Sequence, residues 1–187
     1  KAAGIVNLYS REFFRLVHDR LTEGGVATYW LPVEELDEDD ARAVVRAFCA
    51  AFADCSLWTG AGAHWILAGT RGLGARAPER AAWPPDAVFA FTAQWRDKVV
   101  GPELIRLAVE TPAQLGATFL ADAEQLAPWI AARDPLDDDH PYRLSPRRTD
   151  PARQDFIERW MDVTEAAARF ERSALIGRLW PPALRAE

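Results

Sequence analysis

The sequence predicts an α/β protein, in which helices alternate with buried strands, an antiparallel hairpin closes the sheet and a mostly helical tail follows. Three observations predict it. Two short apolar runs, residues 26–31 and 55–58, each follow a stretch with helical periodicity. After the second run a glycine-containing turn leads straight into another apolar run, as in a hairpin. Beyond residue 74 the composition changes to short helical pieces punctuated by proline.

Taken in order, residues 10–22 read as an amphipathic helix. Ser10 can accept a hydrogen bond from the first free N–H groups, and Phe13, Phe14, Leu16, Val17 and Leu21 form one apolar stripe. Gly24-Gly25 ends it, and residues 26–31 follow as a strand buried on both faces, stopped by Pro32. Asp37 can cap a second helix, with Glu38, Asp39 and Asp40 at the positive end of its dipole and Val44, Val45, Phe48 and Phe52 on its buried face. Residues 55–58 form a strand, Gly60-Ala61-Gly62 a tight turn, and residues 64–70 the returning strand. Alternation of this kind implies parallel βα units. A hairpin closing an otherwise parallel sheet resembles the C-terminal half of a methyltransferase-type Rossmann sheet, assigned here to residues 1–74.

Residues 75–187 form the helical tail. Helices are expected at 86–96, 102–109 and 112–121, the last opened by a Thr111 cap with Pro112 at its first position. Asp122 with Gln125 makes a capping box for the next helix. Residues 133–151 hold four prolines and the run Asp137-Asp138-Asp139, and read as an acidic, proline-rich loop. Helices resume at Ala152 and Val163. Of eight tryptophans, five lie beyond residue 80, so the tail carries enough apolar surface to pack against the sheet.

Charge and composition exclude several classes. A net charge of −6 argues against nucleic acid, whose phosphates need a basic stripe. No apolar run reaches the ~18–20 residues that cross a bilayer, and the N-terminus lacks signal-peptide architecture. Cys49 and Cys55, with no His pair nearby, read as small buried apolar residues and suit a reducing, cytoplasmic compartment. The sole methionine is Met161, so Lys1 is not expected to be the product of a start codon. Sequence is expected upstream, where a tether to the inner membrane stays open. A sheet lacking its upstream strands would expose an apolar edge and favour self-association, as a homo-oligomer.

Candidate site residues cluster at strand ends. In open α/β sheets ligands bind at the carboxyl ends of strands, which places Tyr29 and Trp30 at a pocket wall; core packing is the alternative for Trp30. His64 and Trp65 follow the hairpin turn at a neighbouring edge, and His64 is a candidate acid or base. His18 reads as a surface residue. Asp137-Asp138-Asp139-His140 has carboxylates, but consecutive side chains diverge, so a solvated loop fits better than a metal cage. No G-x-G-x-x-G, P-loop, G-x-S-x-G or H-E-x-x-H occurs.

Together these residues carry a family resemblance. Asn7-Leu8-Tyr9-Ser10-Arg11-Glu12-Phe13-Phe14, then Gly24-Gly25-Val26 and Trp30-Leu31-Pro32, resemble the C-terminal half of spermidine synthase-like aminopropyltransferases. Leu136-Asp137-Asp138-Asp139-His140-Pro141 is similar to a motif of bacterial members fused to a transporter-like membrane region. The resemblance covers residues 5–71 and 134–144. It implies transfer of an aminopropyl group from decarboxylated S-adenosylmethionine to a polyamine, with Tyr9, Tyr29 and Trp30 near the substrate. The family's glycine-rich loop and catalytic aspartate precede the matched segment, so the chain alone is expected to be inactive. Tyr29 stands where many members have glutamine. A related methyltransferase, or a non-catalytic binding or regulatory domain of a membrane-fused protein, are the alternatives.

Overall fold

The computed structural model describes residues 6–60, 64–72, 83–139 and 151–185. A 3-10 turn at Val6–Tyr9 leads into helix α1, Arg11–Arg20. Its start is fastened as the sequence predicts, because the Ser10 hydroxyl accepts from the Phe13 N–H at 3.2 Å. Gly24, at φ +75°, then makes a left-handed turn that other residues resist, and strand β1, Val26–Leu31, follows. Asp37 caps helix α2, Glu38–Ala51, by accepting from the Asp40 N–H at 2.7 Å. Strands β2, Ser56–Thr59, and β3, Trp65–Thr70, pair antiparallel as a hairpin.

The parallel sheet expected from the sequence is not what forms. The order is β1-β3-β2-β4, where β4 is Phe119–Asp122, and every adjacent pair is antiparallel. β1 and β2 run the same way and are linked through α2, but β3 lies between them. The short hairpin keeps β3 beside β2, and its other edge is completed by β1 along six residue pairs from Val26↔Thr70 to Leu31↔Trp65. This antiparallel insertion overturns the assignment to a parallel Rossmann half-sheet.

The tail departs from expectation in three further places, one of them the helix expected at 102–109, which runs Val100–Arg106 and is followed by Ala108 at φ +58°. Residues 86–96 break at Thr92 into α3, Ala87–Phe91, and α4, Ala93–Arg96. The Thr92 hydroxyl donates back to the Val88 carbonyl at 2.8 Å, a bond that competes with continued helix. After α5, Val100–Arg106, comes α6, Pro112–Gly116, with the expected Thr111 cap and Pro112 start. It ends five residues short of the predicted limit at 121, because Phe119–Asp122 is strand β4, paired with β2 and buried along its whole length. The capping box of Asp122 and Gln125 opens α7, Ala123–Ile130, as predicted. Helices α8, Pro151–Met161, α9, Val163–Arg172, and α10, Ala174–Leu179, complete the tail with a 3-10 turn at Pro182–Leu184.

Two apolar clusters lie on this frame. Phe14, Phe48, Leu67 and Trp65 belong to the larger, which α1 and α2 share with the sheet. Here Phe52 approaches β3 so closely that a Cβ at Gly69 would lie 2.6 Å from it. Phe119, Ile176, Trp180 and Leu184 form the smaller cluster, with Trp58 and Phe170 against it. The acidic segment before residue 140 is irregular but docked: Leu136 is buried, accepts from the Arg11 N–H at 2.8 Å and donates to the Ala43 carbonyl at 3.2 Å. Residues 140–150, His140 among them, lie outside the described residues, as do residues 61–63 and 73–82.

Cys49 and Cys55 correct another expectation. They form a disulfide between the end of α2 and the start of β2, so they are not two free thiols. Their number therefore no longer points to a reducing compartment. Among the described residues no helix is long and apolar enough to cross a membrane.

Candidate cation-binding groove

The five residues expected at a pocket divide among three places. Tyr9 and Tyr29 meet edge to face at 5.4 Å, half-buried, and the Tyr29 hydroxyl donates to the Leu8 carbonyl at 2.7 Å. Burial, then the neighbouring Tyr9, pushes the Tyr29 phenol up to about 12; burial, then Glu35, raises that of Tyr9. Trp30 points to the opposite face of β1, 54% exposed, with its ring 5.5 Å from that of His64. Trp65 is fully buried on the α2 face, ringed edge to face by Phe156, Trp129 and Trp160. Adjacent positions on a strand alternate faces, which separates His64 from Trp65 and Tyr29 from Trp30.

A different set of residues converges above Trp65. A groove of about 640 Å³ is lined by Glu38 of α2, Trp129 of α7, Glu158, Arg159 and Trp160 of α8, Asp162, and Glu165 and Arg169 of α9. The two indoles stand edge to face at 5.3 Å. The Glu38 carboxylate is the most heavily held: it accepts from the Trp129 indole N–H at 2.9 Å and from Arg42 at 2.8 Å, and Arg159 lies at 3.4 Å. Arg42 sits 5.7 Å from the centre of the Trp129 ring and Arg169 5.0 Å from that of Trp160, so both indoles already hold cations of this chain.

The charges do not balance within the groove. Arg42 and Arg159 offset Glu38, whereas Glu158, Asp162 and Glu165 share the rest of the lining with Arg169, which Asp162 and Glu165 influence. Asp162 also caps α9 by accepting from the Glu165 N–H at 2.9 Å. The Arg169 guanidinium is turned inward, donating to the Leu120 and Trp160 carbonyls. Burial lowers its pKa from the ordinary arginine value, opposed by the Glu165 carboxylate. The surface left to solvent is therefore acidic, over an apolar indole floor. Among the described residues no group of three or more side chains is arranged to hold a metal ion. Apart from Glu38, named only for the start of α2, none of the groove residues was singled out from the sequence. The signal was present: Glu158, Asp162, Glu165 and Arg169 recur at helical spacing around Trp160.

Fold and groove define an α+β protein, a split β-α-β sheet carrying an acidic, tryptophan-floored cleft among its C-terminal helices. Comparison with known protein families, curated proteins and solved structures finds no match to this chain.

Proposed function

We propose that this chain binds a flexible organic polycation of the polyamine class in the groove between α2, α7, α8 and α9. What supports this reading is the pairing of three carboxylates, Glu158, Asp162 and Glu165, with the indoles of Trp129 and Trp160. A polyamine alternates ammonium groups with methylene segments, so its charges meet the carboxylates while its methylenes lie along the indoles. The polyamine substrate implied by the sequence resemblance has the same chemistry. The aminopropyl donor has no part in this reading, because the resemblance places its glycine-rich loop before the matched segment and the fold class it rested on is replaced by an antiparallel sheet.

The magnitude follows from the exposure of the groove. Each solvent-exposed ion pair contributes ~0.2–1 kcal/mol, so three of them with apolar contact give a dissociation constant on the order of millimolar at low salt. Titration with spermidine, followed by tryptophan fluorescence at low ionic strength, tests the proposal. Saturable quenching that disappears at high salt and in the Glu158→Gln/Glu165→Gln variant is expected. No response to spermidine, or an unchanged response in the folded double variant, overturns it.

A further inference from the structure

Another cavity among the described residues has a different chemistry. Between α6, β4, α9 and the C-terminal turn lies a cleft of about 550 Å³. It stays open because α6 and α9 bring small residues to it, Ala113 and Gly116 from one and Ala166 and Ala167 from the other. Its back wall is aromatic: Phe170 meets Trp180 edge to face at 5.3 Å and Phe119 at 5.9 Å. A Cβ at Gly116 would come within 3.2 Å of the Phe170 ring, so the glycine itself keeps that wall in place.

Two N–H donors on this lining have no acceptor. Trp180 is 3% exposed and its buried indole N–H is unpartnered. Arg185 donates from a terminal guanidinium nitrogen to the Gly177 carbonyl at 3.3 Å, but its buried Nε–H finds nothing. A buried donor left unpaired costs ~1–3 kcal/mol, but both nitrogens are closed even to water, so a ligand in the cleft meets the outer guanidinium of Arg185 and not these atoms. Glu171 is the other charged residue of the lining, and it sits at the exposed rim, where water screens it. Apolar walls of this volume suit a small molecule, and a half-buried guanidinium suits a carboxylate.

From the cleft, its aromatic wall and the half-buried Arg185 guanidinium on its lining we infer that it binds an apolar monocarboxylate of medium chain length, with Arg185 taking the carboxylate. This site is separate from the acidic groove and does not depend on the polyamine reading. Octanoate, 1-octanol and acetate are titrated calorimetrically into the full chain. Octanoate binds about tenfold more tightly than 1-octanol, the value of one charge-assisted hydrogen bond, and acetate does not bind measurably. Arg185→Gln brings octanoate down to the affinity of octanol, and Ala167→Leu, which narrows the mouth from an exposed helix position, weakens both. Ala166→Phe fills the cleft and abolishes both, with circular dichroism and melting checking the fold of each variant. The inference is overturned if octanoate fails to bind or binds no better than octanol. It is equally overturned if Arg185→Gln changes nothing, or if the folded, cleft-narrowed variants bind as wild type does.

Discussion

Trp30 and Trp65 belong to neighbouring strands and to opposite faces of one sheet, and their environments make opposite demands. Trp65 is enclosed by three aromatic rings, so Trp65→Ala leaves a cavity and should cost ~3–5 kcal/mol. Trp30 lies more than half exposed against His64, and Trp30→Ala should cost less than ~1 kcal/mol. Urea denaturation of the two variants decides the matter, and the reverse order would mean that the faces of β1 and β3 are wrongly assigned. Tyr29 carries the pH dependence. Its folded pKa of about 12 lies above the ordinary phenol value, so the unfolded chain releases the proton first. The stability held by this group is intact below a pH of about 10 and is lost as pH rises towards 12. Tyr29→Phe should lose less stability than wild type between about pH 8 and about pH 11, measured by urea midpoints; an equally steep loss would assign the effect elsewhere.

At the scale of elements, the turn from α2 into β2 is fastened twice. The disulfide of Cys49 and Cys55 spans a sequence separation of 6, and Asp54 inside that loop accepts from the Thr70 N–H at 2.9 Å, tying the turn to β3. A loop this short removes little disorder from the unfolded chain, and the chain-entropy model assigns the bond about 2 kcal/mol. Reduction by dithiothreitol, or the Cys49→Ser/Cys55→Ser variant, should lower stability by about that amount with the far-ultraviolet spectrum unchanged. A urea midpoint indifferent to reductant would show that the two sulfurs are not bonded. The helix starts are fastened by shorter-range means. Asp122 caps α7 and also accepts from the Ser173 hydroxyl, which caps α10, so one buried carboxylate orients two helices.

Over the whole molecule, the helix starts at Ser10, Asp37, Thr111 and Asp122 were legible because a cap is a contact across three residues. The strands at 26–31 and 64–70 and the hairpin were legible from apolar runs and a glycine turn. Strand β1 is not buried on both faces as expected, however, since Val26, Thr28 and Trp30 face solvent on one side of the sheet. β4 was not, because Phe119-Leu120-Ala121 is apolar without alternation, and such a run fits a helix as well as a strand buried on both faces. Neither were the groove and the cleft, whose residues come from segments as distant as Glu38 and Arg169, or Thr59 and Arg185. Periodicity, caps, charge and turn chemistry thus settle the type and order of the elements up to residue 70 and the helix starts beyond it, since each depends on neighbours a few positions away. Strand partners, the bond between the two cysteines, the burial of Trp65 against the exposure of Trp30, and the gathering of carboxylates over two indoles were left to tertiary structure. Those outcomes depend on which apolar faces meet, and an isolated segment presents the same face to any partner that can bury it.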